Sequence, residues 1–218
     1  TAAKQLVQQS GVAIDMPAGP SEVCVWADAA AIPSFVAADL LSQAEHGVDS
    51  QVFLVASSEK LVTEVQDALE EQLAHLSRKE LAAKALENSK AVVIENMNEA
   101  LELINQYAPE HLIMSIENAD IVAEKIINAG SVFIGNYSPE SVGDYASGTN
   151  HTLPTNGYAS AYSGVSVDSF VKKITFQQLT ERGLVNIGKS VMEMANAESL
   201  DAHANAVAVR LKDIESKM

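Results

Sequence analysis

The sequence predicts an α/β fold, a mostly parallel sheet flanked by helices with a C-terminal helical extension. Short β-branched runs alternate with amphipathic stretches from residue 23 to residue 134, the pattern of strands joined by crossover helices. Apolar residues fill 47% of the 218 positions, enough for a substantial core. Beyond the irregular stretch 135–155 the strand pattern stops, and 177–215 reads as helix.

In chain order, TAAKQLVQQSG reads as a helix entered part-way, and MPAGPSE at 16–22 as a Gly/Pro turn. Such a start suits a piece of a longer chain. The expected strands are 23–27, 51–55, 91–95, 111–116 and 131–135. Between them helices are expected at 34–46, 58–76, 79–88, 97–107 and 119–129, several ending at Gly or before Pro. A boundary falls near 155–165, so 23–155 forms the sheet domain and 156–218 the extension. Such an extension buries only a stripe of each helix and must pack on the sheet domain or on another subunit.

The formal net charge of −15 argues against nucleic acid, because phosphate binding needs clustered Lys and Arg. Cys24 is the single cysteine, which excludes an internal disulfide, and its apolar run VCVWA reads as core. No apolar stretch approaches the roughly 20 residues of a membrane span, and no signal peptide is visible. The expectation is a soluble, cytoplasmic protein with no membrane partner.

Residues 135–155, GNYSPESVGDYASGTNHTLPT, read as an active-site loop, because long irregular stretches inside compact domains are disordered or functional. Tyr137, Tyr145 and Tyr158 suggest that it packs onto something. Asp144 within it is a ligand or an Asx-turn residue. Gln43 and His46 share a helix face three positions apart; a metal site and a His stabilised by the helix dipole are both open. In Tyr107-Ala-Pro-Glu-His-Leu112, Pro109 ends the preceding helix, leaving Glu110 and His111 where helix gives way to strand. An adjacent carboxylate and imidazole can divide acid and base work, although the dipeptide alone is ordinary. His203, with Glu198 five positions before it, reads as exposed or capping, and His75 as solvent-facing.

Taken together, MPAGPSEV (16–23), VAADLLSQAEHG (36–47), DSQV (49–52), QYAPEHL (106–112), AGSVFIGNYSPESVGDYASGTNHTLPT (129–155) and AHANAV (202–207) resemble the C-terminal half of histidinol dehydrogenases. These enzymes oxidise L-histidinol to L-histidine with NAD in histidine biosynthesis. The resemblance implies zinc held by Gln43, His46, Asp144 and His203 as an anchor for substrate. It implies that His111 takes the hydroxyl proton, that Glu110 activates the water attacking histidinal, and that Ser21 and Glu198 contact substrate, as do His111, Asp144 and His203; His151, close by in the loop, is a further substrate contact. It also implies a homodimer whose tail residues Glu198 and His203 complete the partner's site.

The family's NAD-contacting residues precede this chain, and no G-x-G-x-x-G follows any strand to replace them. The expectation is therefore an incomplete Rossmann-like domain, with residues 1–22 the remnant of a preceding cofactor-binding domain and no dehydrogenase activity in the fragment itself. A stand-alone zinc- or imidazole-binding module would present the same ligands. Metal-dependent hydrolysis is disfavoured by the absence of H-E-x-x-H.

Overall fold

The computed structural model describes residues 2–217, and the chain divides into two compact units, Thr1–Val171 and Lys172–Met218. Residues 156–171, assigned from sequence to the extension, thus fall in the first unit. That unit holds strands β1 Glu22–Ala27, β2 Gln51–Ala56, β3 Lys90–Val93, β4 His111–Ser115 and β5 Ser131–Ile134 in the order β3-β2-β1-β4-β5. All four pairings are parallel. Its helices are α1 Ala2–Gln9, α2 Pro33–Ala44, α3 Glu59–Leu73, α4 Lys79–Glu87, α5 Met97–Tyr107, α6 Ala119–Ala123 and α7 Glu140–Tyr145.

Alternation along the strands sorts side chains onto two faces. Val23, Val25, Val52, Leu54, Ile113 and Phe133 pack with α2, α3 and α4. Cys24, Trp26, Phe53, Leu112 and Met114 pack with α5 and α6. Central β1 is buried at every position, which explains its unbroken apolar run.

Local chemistry sets the boundaries. Ser58 caps α3 by accepting the Leu61 N–H, and Asn96 caps α5. Helix α5 ends at Ala108 in the left-handed region, φ 52°, immediately before Pro109, which cannot continue the helix. Helix α6 stops well short of the expected 129. There Asn105 accepts the Ile127 and Asn128 N–H groups and donates to the Lys125 carbonyl, offering that backbone an alternative to the helix.

The stretch 135–155 is less irregular than its sequence suggests, since it contains α7. Nor do all its tyrosines pack: Tyr137 and Tyr145 are 85% and 87% exposed, although Tyr137 meets Phe35 edge-on.

The second unit is a helical hairpin of α8 Glu181–Ala197 and α9 Asp201–Glu215, turned through Ser199 at φ 59°. Gly188 lets the helices approach closely: a Cβ there would lie 2.9 Å from Leu211 Cδ1. Val185, Ile187, Val191, Met194, Leu200 and Val209 remain exposed.

Candidate active site

His111 opens β4 and Glu110 immediately precedes it, at the amino-terminal edge of the sheet. Open parallel sheets usually bind ligands at the opposite, carboxyl edge, so this placement is a departure. Two returning elements build the site there. Helix α2 crosses back from the end of β1 toward the start of β2, carrying Asp39 and Gln43 one turn apart. After β5 the chain reverses at Gly135, φ 84°, and α7 brings back Glu140 and Asp144, spaced to share one helix face.

His111 shares a sheet face with Ile113, and its ring centroid lies 6.1 Å from that of Phe133. Its Nδ1 lies 3.1 Å from the Glu22 carbonyl oxygen. A carbonyl only accepts, so this bond puts the proton on Nδ1 and leaves the Nε2 lone pair free. Nε2 is buried and unpartnered. The Glu110 and Glu140 carboxylates each approach Nδ1 to 3.6 Å, an ion-pair distance too long for a hydrogen bond. Burial opposes charge on all three groups: it pushes the His111 pKa down and moves both carboxyls up to about 8. Burial thus disfavours the charged form of the imidazole and of both carboxyls.

The carboxyls reinforce one another. For Glu110 the charges of Glu22 and Asp144 add to burial, opposed by the hydrogen bond from Glu22. For Glu140, burial comes first, followed by the charges of Asp144, Glu110 and Asp39. Asp39 is itself pushed up to about 7 by burial, and Glu22 is raised by the same cause.

Of the residues expected from sequence, the fold gathers Asp144 with His111. Ligand atoms of His111, Glu140 and Asp144 all lie within 4.8 Å of one another. Gln43 is fully buried, and neither atom of its amide has a hydrogen-bond partner. Such a group costs stability unless something takes it up, and an amide oxygen, an imidazole and a carboxylate together fit a divalent cation. His46 follows the end of α2, exposed, with its N–H bonded to the Gln43 carbonyl at 3.2 Å. The expected helix to 46 stops at Ala44 with Glu45 as its C-cap. His46 and His151 both act electrostatically against the His111 cation. Ser21 is half-buried in the turn entering β1, and His151 is exposed. Glu198 and His203 belong to the second unit, where both are exposed.

Sequence reasoning missed Glu22, Asp39 and Glu140, all buried. For Glu140 a signal was present: Pro139 starts a helix, and Glu140 and Asp144 have the spacing of one face.

The family model described as Histidinol dehydrogenase matches residues 1–211. The histidinol dehydrogenase of Bacteroides thetaiotaomicron is 66% identical over 215 residues, covering 99% of this chain and 50% of that protein. That of Pseudoalteromonas translucida is 53% identical over 219 residues, covering 100% and 51%. The crystal structure of histidinol dehydrogenase from Elizabethkingia anophelis superposes with a TM-score of 0.95 at 59% identity, over 99% of this chain and 50% of that one. The chain spans about half the length of the curated relatives it matches. On this match, and with its buried carboxyl and imidazole cluster, the chain belongs to the histidinol dehydrogenase family.

Proposed function

We propose that this chain supplies the zinc- and substrate-binding half of a histidinol dehydrogenase, acting in the two-step, NAD-dependent oxidation of L-histidinol to L-histidine through histidinal. The observation that carries the reading is the buried Glu110–His111 pair, with an unpartnered His111 Nε2 and with Asp144 in the same cluster. NAD, when bound, would accept one hydride in each of the two oxidations. In the first the Nε2 of His111 takes the hydroxyl proton, and in the second Glu110 takes a proton from water as the water oxygen bonds to the aldehyde carbon. A base whose pKa lies near the working pH serves best in such a step, and burial moves Glu110 toward that range.

Gln43, His46 and Asp144 would hold zinc, with His203 as the fourth protein ligand. Zinc, when bound, anchors the imidazole and amino nitrogens of the substrate. Ser21, His151 and Glu198 would contact substrate. The nicotinamide site belongs to the part of the family enzyme outside this chain, and the working form is a cytoplasmic homodimer with shared tails.

The test is growth of a histidine auxotroph lacking histidinol dehydrogenase. A full-length family enzyme containing this chain should restore growth on histidinol, and the same protein carrying His111→Ala should not. Zinc and imidazole binding by this chain, without turnover by the full-length protein, would favour the stand-alone module instead.

A further inference from the structure

We infer that Glu22 is a positioning residue for the Glu110–His111 pair, a role that rests on the function proposed above. Three of its groups hold the pair. Its backbone N–H donates to Glu110 Oε2 at 2.9 Å. Its carbonyl takes His111 Nδ1 at 3.1 Å. Its own Oε1 accepts the Glu110 N–H at 3.3 Å and the Asn156 N–H at 3.0 Å.

The register explains how one residue reaches both members. Val23 of β1 pairs with His111 of β4, so Glu22 lies directly across from Glu110 where both strands begin. Main-chain groups at the amino end of a strand have no ladder partner beyond the last pair. The Glu22 side chain supplies that partner and ties Glu110 to the segment at Asn156.

A carboxylate is an expensive residue for this place. Glu22 is only 6% exposed, and a buried carboxyl costs stability unless it is well hydrogen-bonded. The next residues of β1 are apolar, as packing alone would favour. The Glu110 carboxyl and the His111 ring are met by the Glu22 main chain, while the Glu22 side chain fixes the Glu110 main chain that carries them. Misplacing a reacting group by about 1 Å can cost on the order of 10²-fold in rate.

The experiment uses a full-length, zinc-loaded family enzyme containing this chain, with Glu22→Ala, Glu22→Asp, Glu22→Gln and, in parallel, Glu110→Gln. Glutamine keeps an oxygen at the same reach, alanine removes it, and aspartate withdraws it by one methylene. Removing or withdrawing the oxygen should lower kcat by about 10²-fold with histidinol KM and zinc content little changed, and glutamine should recover most of kcat. If the alanine variant does not fold, the aspartate variant is read in its place.

Wild-type kcat in the alanine or aspartate variant, with Glu110→Gln inactive, overturns the positioning role alone. So does equal loss in the glutamine and alanine variants accompanied by loss of zinc, which marks a purely structural residue. Full activity of Glu110→Gln overturns the assignment of Glu110 itself, and with it the purpose of the clamp.

Discussion

The backbone carbonyl of Glu110 lies so close to Gly130 that a Cβ built on Gly130 would stand 2.5 Å from its oxygen and 3.1 Å from the Leu153 Cβ. The carbonyl is held in place. The Ser131 N–H donates to the Glu110 carbonyl at 2.9 Å, and the Gly130 N–H to that of Pro109 at 2.9 Å. Gly130→Ala should therefore push the start of β4 aside and destabilise this chain by about 1–3 kcal/mol, the usual range for overpacking. Urea unfolding measures it. An unchanged midpoint would mean that the strand start yields without strain.

Gln43 tests the metal reading from two sides. Its amide is buried with neither atom paired, so in metal-free protein Gln43→Met should raise stability by about 1–3 kcal/mol, the cost of an unsatisfied buried polar group. In zinc-loaded protein Gln43→Ala should weaken metal retention, but less than His46→Ala, since imidazole is an ordinary zinc ligand and a neutral amide a weak one. Chelator competition on the two variants gives the order. The reverse order would put the amide first among the ligands.

Asp39 makes the stability of metal-free protein depend on pH. Its folded pKa of about 7 stands above the ordinary 3.8, so the folded state keeps a proton that the unfolded chain has released. Its contribution is intact below about pH 4 and is lost as pH rises to about 7, at roughly 1.4 kcal/mol for each pH unit between the two values. The total is a few kcal/mol at most. His111, whose pKa is lowered, works the other way, losing stability as pH falls below its usual 6.5. Asp39→Asn isolates the first effect: the variant should gain on wild type between pH 4 and 7 and hold that gain above. A difference that does not vary with pH would remove Asp39 from the account.

Glu110→Gln in a full-length family enzyme should lose mainly the aldehyde-oxidising step. The amide keeps size and polarity but takes no proton from water, and loss of a general base costs on the order of 10²–10⁴-fold. Oxidation of supplied histidinal should fall by that factor, whereas its reduction to histidinol with NADH should survive. Equal loss in both directions would make Glu110 a positioning group instead of a base.

The exposed apolar side chains of the α8–α9 hairpin, among them Val185, Ile187, Val191, Met194, Leu200 and Val209, are of the kind that marks an interface. If the tail lends His203 to a partner, zinc binds the paired state and stabilises it by mass action. Deleting residues 196–218 should then lower both the dimer fraction in sedimentation and the zinc affinity. A truncated chain that still binds zinc as tightly would rule out a shared site.

Periodicity alone was enough to identify the five strands, the helices that join them and the helical end, because a strand or helix buried on one face must repeat its apolar residues at its own spacing. The position of adjacent Glu110 and His111 was also legible, since Pro109 marks the helix-to-strand junction at which they sit. Boundaries held less well: α6 ends early because Asn105, twenty residues before Lys125, bonds its backbone, and no local pattern carries that. Glu22, Asp39 and Glu140 looked like ordinary polar residues in a turn, a helix and a loop. Their burial and raised pKa values arise from three elements meeting at one sheet edge: the β1–β4 register brings Glu22 to Glu110, α2 returns with Asp39, and the reversal at Gly135 returns Glu140. Sequence spacing thus determined which elements form, while the tertiary structure decided which carboxyls share water-poor space with His111, because desolvation and charge coupling depend on distances in space and not along the chain.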